Sequence, residues 1–158
     1  MIIRIIALLG VLIVIIIFGI TYTIKQAQKS PFNSPANFLG ESEQDNDQKT
    51  VVCVGASITH GQVSYNYVNI LSYRFGHDDY QFENSGINGN LAYNVVKRLD
   101  KVIECGPDYI TVLIGTNDAN ASLSEKNSSR YMNDMALPEK PNAGFFRRNI
   151  KDLIFQLN

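Results

Sequence analysis

The sequence predicts an α/β protein, a three-layer α/β/α arrangement on a parallel sheet, preceded by a single transmembrane helix. Three observations carry that prediction. An apolar run long enough to span a bilayer occupies the amino end. Beyond it, short β-branched runs alternate with segments of helical periodicity in the order β-α-β-α-β-loop-α. A block of Gly, Ser and Asn residues follows each strand. Such alternation implies right-handed crossovers and a ligand site at the carboxyl ends of the strands.

Every residue from Ile5 to Ile20 is apolar or Gly, and Ile2 and Ile3 extend the run across Arg4. A stretch of about twenty such residues spans the hydrocarbon layer as a helix, because lipid cannot satisfy open backbone groups. A cleaved signal peptide would have a shorter apolar region, and Thr21-Tyr22-Thr23-Ile24-Lys25 offers no small-x-small cleavage site. A buried core helix is disfavoured because Ile and Val occur all round the helix. Residues 1–25 therefore read as a transmembrane anchor or an uncleaved signal. Arg4 flanks one end, and Lys25 and Lys29 flank the other, so charge does not orient the helix. The following domain is expected on the extracytoplasmic side.

Residues 26–48 read as a disordered linker. Pro31, Pro35 and the polar run from Glu41 to Asp47 supply too little apolar surface to fold alone.

Residues 49–158 carry the folded part. Thr50 to Gly55 is continuously apolar and β-branched, as befits a strand buried on both faces. Asn66 to Phe75 places Tyr67, Val68, Ile70, Leu71 and Phe75 on one helical face, and Gly76 stops it. Tyr80 to Asn84 reads as the second strand. Leu91 to Ile103 is expected as one helix, through Leu91, Val95, Val96, Leu99 and Val102 or Ile103. Pro107 breaks the chain before the third strand, Tyr109 to Gly115, the most hydrophobic outside the anchor. Phe145 to Leu157 is expected as the last helix, and the polar stretch from Ala119 to Gly144 as a long loop in which Tyr131, Met132, Met135 and Leu137 either line a site or pack the loop, packing being favoured. The alternation stops on a helix, so the sheet is expected to be incomplete at the carboxyl end.

A net charge of −1 without a basic cluster gives no footprint for nucleic acid. Cys53 and Cys105 lie in or beside apolar runs and read as buried thiols. With His60 and His77 as the only histidines, a structural zinc site is not expected.

The chemistry sits in three blocks: Gly55-Ala56-Ser57-Ile58-Thr59, Asn84-Ser85-Gly86-Ile87-Asn88-Gly89-Asn90 and Gly115-Thr116-Asn117-Asp118. A serine at a strand-to-helix turn is exposed, and backbone or Asn amides at neighbouring strand ends can hold an oxyanion. Each block alone is an ordinary turn; their ordered occurrence, each after a strand, is not. A nucleotide-binding sheet is disfavoured, because the first turn lacks a phosphate-cradling glycine pattern.

In these blocks, over roughly residues 49–158, the sequence resembles the SGNH (GDSL-type) esterases and lipases. That resemblance implies a flavodoxin-like sheet and ester hydrolysis through a seryl acyl-enzyme, with a small-molecule, lipid or carbohydrate ester as substrate and no cofactor. It implies Ser57 as nucleophile and oxyanion N–H donor, Gly89 as second N–H donor (Gly86 being its rival) and Asn117 as side-chain donor. Two departures matter. Ala56 stands where the family carries the Asp of Gly-Asp-Ser, and no Asp-x-x-His block, the family's base and its partner, follows Asp118. An inactive, membrane-anchored binding domain or remnant is therefore the alternative reading. His60 reads as a rim residue rather than a substitute base, His77 as a solvated loop residue, and Asp108 and Asp118 as caps or turns.

Overall fold

The structure, a computed structural model, describes residues 2–27, 29–40, 47–62, 64–76 and 79–158. The acidic run from Glu41 to Asn46, and His77, lie outside the described residues.

Helix α1 (Ile2–Ala27) is continuous. Its stretch Leu8–Gln26 is long and apolar enough to cross a membrane, and none of it is buried against the rest of the described chain. The stretch expected as a free linker contains an ordered strap that ends in the short helix α2 (Pro35–Phe38). Asn33 Nδ2 donates to Phe82 O at 3.0 Å, Asn84 N donates to Asn33 O at 2.6 Å, and Phe38 enters the core. One buried ring and two strand-edge hydrogen bonds offset the entropy of ordering this Pro- and Asn-rich segment.

Strand β1 (Lys49–Gly55) lies between β2 (Tyr80–Gly86) and β3 (Tyr109–Leu113), in the order β2-β1-β3 with both pairings parallel. Gly55 stands opposite both Gly86 and Leu113, so the carboxyl ends finish level and the three polar blocks meet. The continuous apolar run of β1 is sorted by strand periodicity. Val51 and Cys53 pack with Val68 and Phe82 on one face. Val52 and Val54 pack with Phe38, Val95, Leu99, Val102 and Leu153 on the other. Both cysteines are free and buried, as expected, and burial pushes the Cys105 thiol up to about 11.

The helices depart from the sequence reading in two places. After α3 (Ser57–His60) and α4 (Tyr67–Phe75), capped by Asn66 Oδ1 accepting from Asn69 N, the single helix expected over 91–103 divides into α5 (Ala92–Val96) and α6 (Leu99–Glu104). The break falls at Arg98, whose backbone (φ −124°, ψ 16°) leaves the helical region. The expected loop 119–144 instead holds most of α7 (Thr116–Ser122) and all of α8 (Glu125–Asp134), before α9 (Ala143–Gln156). Ala121, Tyr131 and Leu137 form a second core with Leu91 and Phe145, and Met132 and Met135 lie against it.

β3 is an edge among the described residues. Despite its apolar sequence, Tyr109, Val112 and Leu113 are 51%, 40% and 49% exposed, and only Ile110 and the following Ile114 reach the core.

Candidate active site

Ser57 opens α3 directly after β1 and Ala56, and it is half-buried. The turn is tight because α3 lies on the sheet. A Cβ at Gly55 would meet Thr59 Oγ1 at 2.1 Å, and one at Gly86 would meet the backbone N of His60 at 2.1 Å. Only glycine lets α3 approach β1 and β2 this closely. Gly86 is thus occupied with packing beneath α3.

Gly89 lies in the turn after β2 with φ +80°, a conformation that L side chains rarely adopt. Met135 covers it; a Cβ there would meet Met135 Cε at 2.6 Å. The turn is tied to β1 by Ile87 N donating to Gly55 O at 3.2 Å. It is tied to the third block by Asn117 Nδ2 donating to Asn90 O at 2.9 Å. Asn117 stands in the first turn of α7, after Gly115 at φ +121°. Its Oδ1 accepts from Tyr131 OH at 3.0 Å, so the amide group of Asn117 faces the Gly89–Asn90 turn and keeps a second N–H. Gly89, Asn90 and Asn117 therefore form one linked unit, joined to the Ser57 turn through Gly55.

Arg98 is a constituent that the sequence reading missed. Its Nε donates to Asn90 Oδ1 (2.9 Å), Nη1 to Ser85 Oγ (2.6 Å), and Nη2 to Gly55 O (3.1 Å) and Ser85 O (2.9 Å). One planar fork thus ties the ends of β1 and β2 to the Gly89–Asn90 turn. Burial pulls its pKa down to about 10. The only sequence signal was an arginine within a run of helical periodicity.

Other polar residues are structural. Asp118 is buried, and its carboxylate accepts from Ala92 N at 3.2 and 3.3 Å, capping α5. Burial raises its pKa and the Ala92 hydrogen bond lowers it, the first effect being larger. Asp108 accepts from Thr50 N at 2.8 Å. Asn84 donates to Thr59 O and accepts from Gly86 N, supporting the underside of the α3 turn.

His60 is buried, and its Nε2 lies 2.8 Å from Lys29 O. A carbonyl only accepts, so Nε2 carries a proton and donates it. Nδ1 is buried without a hydrogen-bond partner, so neither ring nitrogen is bonded to Ser57.

The sequence model of the GDSL-like lipase/acylhydrolase family matches residues 53–156. Among solved structures, the acetyl xylan esterase AlAXEase matches with a TM-score of 0.51 and 23% identity, over 68% of this chain and 52% of that one. Axe2, an acetylxylan esterase from Geobacillus stearothermophilus, matches with a TM-score of 0.52 and 18% identity, over 68% of this chain and 53% of that one. At these identities the likeness is one of fold, and the chain spans about half the length of either esterase. No curated protein sequence matches the chain.

Proposed function

The chain belongs to the GDSL-like lipase/acylhydrolase family, and on that premise we propose that it carries the nucleophile and oxyanion-binding part of a membrane-anchored ester hydrolase. The observation that carries the reading is the linkage of the three blocks through Gly55, Asn90 and Asn117 at the level carboxyl ends of the sheet.

In this reading Ser57 Oγ attacks the acyl carbonyl carbon and passes its proton to a general base. The carbonyl oxygen becomes an oxyanion held by the N–H groups of Ser57 and Gly89 and by the second N–H of Asn117. Collapse breaks the C–O bond and releases the alcohol, which takes up the proton. Water then hydrolyses the seryl ester by the same sequence. The chain's own contribution is preorganisation: Tyr131 fixes the Asn117 amide, and Arg98 fixes the loops that carry Ser57 and Gly89. The step also requires a general base; among the described residues, the His60 ring is bonded to Lys29 O through Nε2 and not to Ser57.

Residues 1–25 are proposed to anchor the protein, with the domain of residues 49–158 extracytoplasmic. Two observations favour the inactive binding domain as a second reading: Ala56 in place of the family's Asp, and the engaged His60. Hydrolysis of a short-chain nitrophenyl ester by the chain and by Ser57→Ala separates the readings. Turnover that falls to background in the variant supports the nucleophile. Turnover unchanged by the substitution removes Ser57 from the mechanism. Binding of a phosphonate ester analogue without turnover selects the binding domain.

A further inference from the structure

The strap between α1 and the domain joins the nucleophile helix itself. The Lys29 carbonyl, two residues beyond the end of α1, accepts from His60, the last residue of α3, whose first residue is Ser57. Two residues span at most about 7 Å, and α3 is a single turn about 5 Å long. The apolar run of α1 ends at Ile20, which sets the hydrocarbon edge, and the stretch from Thr21 to Ala27 rises about 10 Å as a helix through the headgroup layer. Through the His60–Lys29 link, Ser57 stands within about 30 Å of the hydrocarbon edge.

The surroundings of the strap agree with that placement. Phe32, Ile58, Tyr65 and Ile87 are all exposed, two of them flanking the proposed nucleophile and oxyanion turn. Pro31 walls two adjoining recesses. One, of about 270 Å³, also contains Lys29, Phe32 and His60; the other, of about 210 Å³, also contains Ser85, Ile87 and Arg98. Lys25 and Lys29 supply cations at the end of α1, where anionic headgroups attract them. An apolar rim beside a basic helix end is suited to an interface and would be costly in open water.

We infer that the site serves an acyl ester displayed in the headgroup layer of the membrane that holds α1, rather than a freely diffusing ester. The inference rests on the anchored-hydrolase reading and names its substrate class.

The test uses the full chain in phosphatidylcholine vesicles that contain nitroxide-headgroup phosphatidylcholine. An environment-sensitive thiol dye is placed at Ile58→Cys, at Ile87→Cys and, as a control at the amino end of β3, at Tyr109→Cys; unsubstituted protein corrects for Cys53 and Cys105. The distances above predict that nitroxide quenching at positions 58 and 87 exceeds that at 109 by at least about threefold. A flexible Gly-Ser insertion of about 12 residues after Ala27 should reduce it to the control level. Equal quenching at the three positions, or quenching that survives the insertion, overturns the inference. Flotation of the chain with the vesicles and the nitrophenyl ester assay are read separately. A chain that floats but shows equal quenching defeats only the substrate placement. A chain that fails to float defeats the anchored reading and the inference together. Loss of the Ser57 dependence with quenching intact defeats the hydrolase reading and the substrate class with it, and leaves only the placement of the two turns at the membrane.

Discussion

Replacing Arg98 by methionine removes a buried cation and leaves the acceptors it served. Asn90 Oδ1 and Ser85 Oγ lose this donor, whereas Gly55 O keeps Ile87 N and Ser85 O keeps its place in the parallel ladder with β1. A buried acceptor left unsatisfied costs about 1–3 kcal/mol, so two cost about 4 kcal/mol at the middle of that range. Against this, the variant no longer bears the burial cost that holds the Arg98 pKa at about 10, a cost of about 3 kcal/mol. The net loss is about 1 kcal/mol, which for a domain of this size lowers Tm by about 4 °C. Arg98→Lys keeps the charge but has no planar fork to bridge acceptors on three segments, and it is expected to lose about half as much. Thermal denaturation followed by circular dichroism measures both, and hydrogen exchange at Ile87 and Asn90 should quicken in step. A methionine variant that melts within about 2 °C of the parent would refute the assignment of Arg98 as the tie between the strand ends.

Three further outcomes follow from the same geometry. Gly89→Ala puts a Cβ 2.6 Å from Met135 Cε at φ +80°; esterase activity should fall by about 10²-fold, and normal rates would exclude the Gly89 N–H from the oxyanion site. Asn117→Ala should cost about 10²–10³-fold in kcat with little change in KM, and Tyr131→Phe, which frees Asn117 Oδ1, should lower kcat by about 10-fold; equal effects from the two would deny Tyr131 a merely orienting role. Asp118 has its carboxyl pKa raised above 3.8, chiefly by burial. The folded state therefore binds the proton more readily than the unfolded state, and stability from this group falls as pH rises above 3.8. Asp118→Asn keeps an acceptor for Ala92 N without the buried charge, so its melting temperature at neutral pH should equal or exceed the parent's, and the difference should close in acid. Marked destabilisation at neutral pH would contradict that sign.

What the sequence disclosed depended on how locally each feature was encoded. The strand cores and the turns after them were legible because Val51 to Val54 and the Gly-Ser-Asn blocks are contiguous. The division of the 91–103 helix was not, because apolar spacing continues through Val96 and Leu99 while Arg98 turns its guanidinium to partners far away in sequence. α8 escaped notice because Ser128 and Tyr131 are its only buried residues, too sparse for a periodic signal. Phe38 sits among Pro and Asn residues typical of a tether, and its burial depends on a sheet edge supplied by β2. The partnership of Tyr131 with Asn117 spans 14 residues and a helix boundary, a relation that a linear reading does not contain.

The open flank of β3 also governs how the protein behaves in the test tube. A strand edge beside Val112 and Leu113 is a template on which another strand can grow. Detergent that coats α1 does nothing to that flank. Precipitation of residues 1–158 that persists after α1 is solubilised and is relieved by charged substitutions on β3 would point to strand addition at that edge.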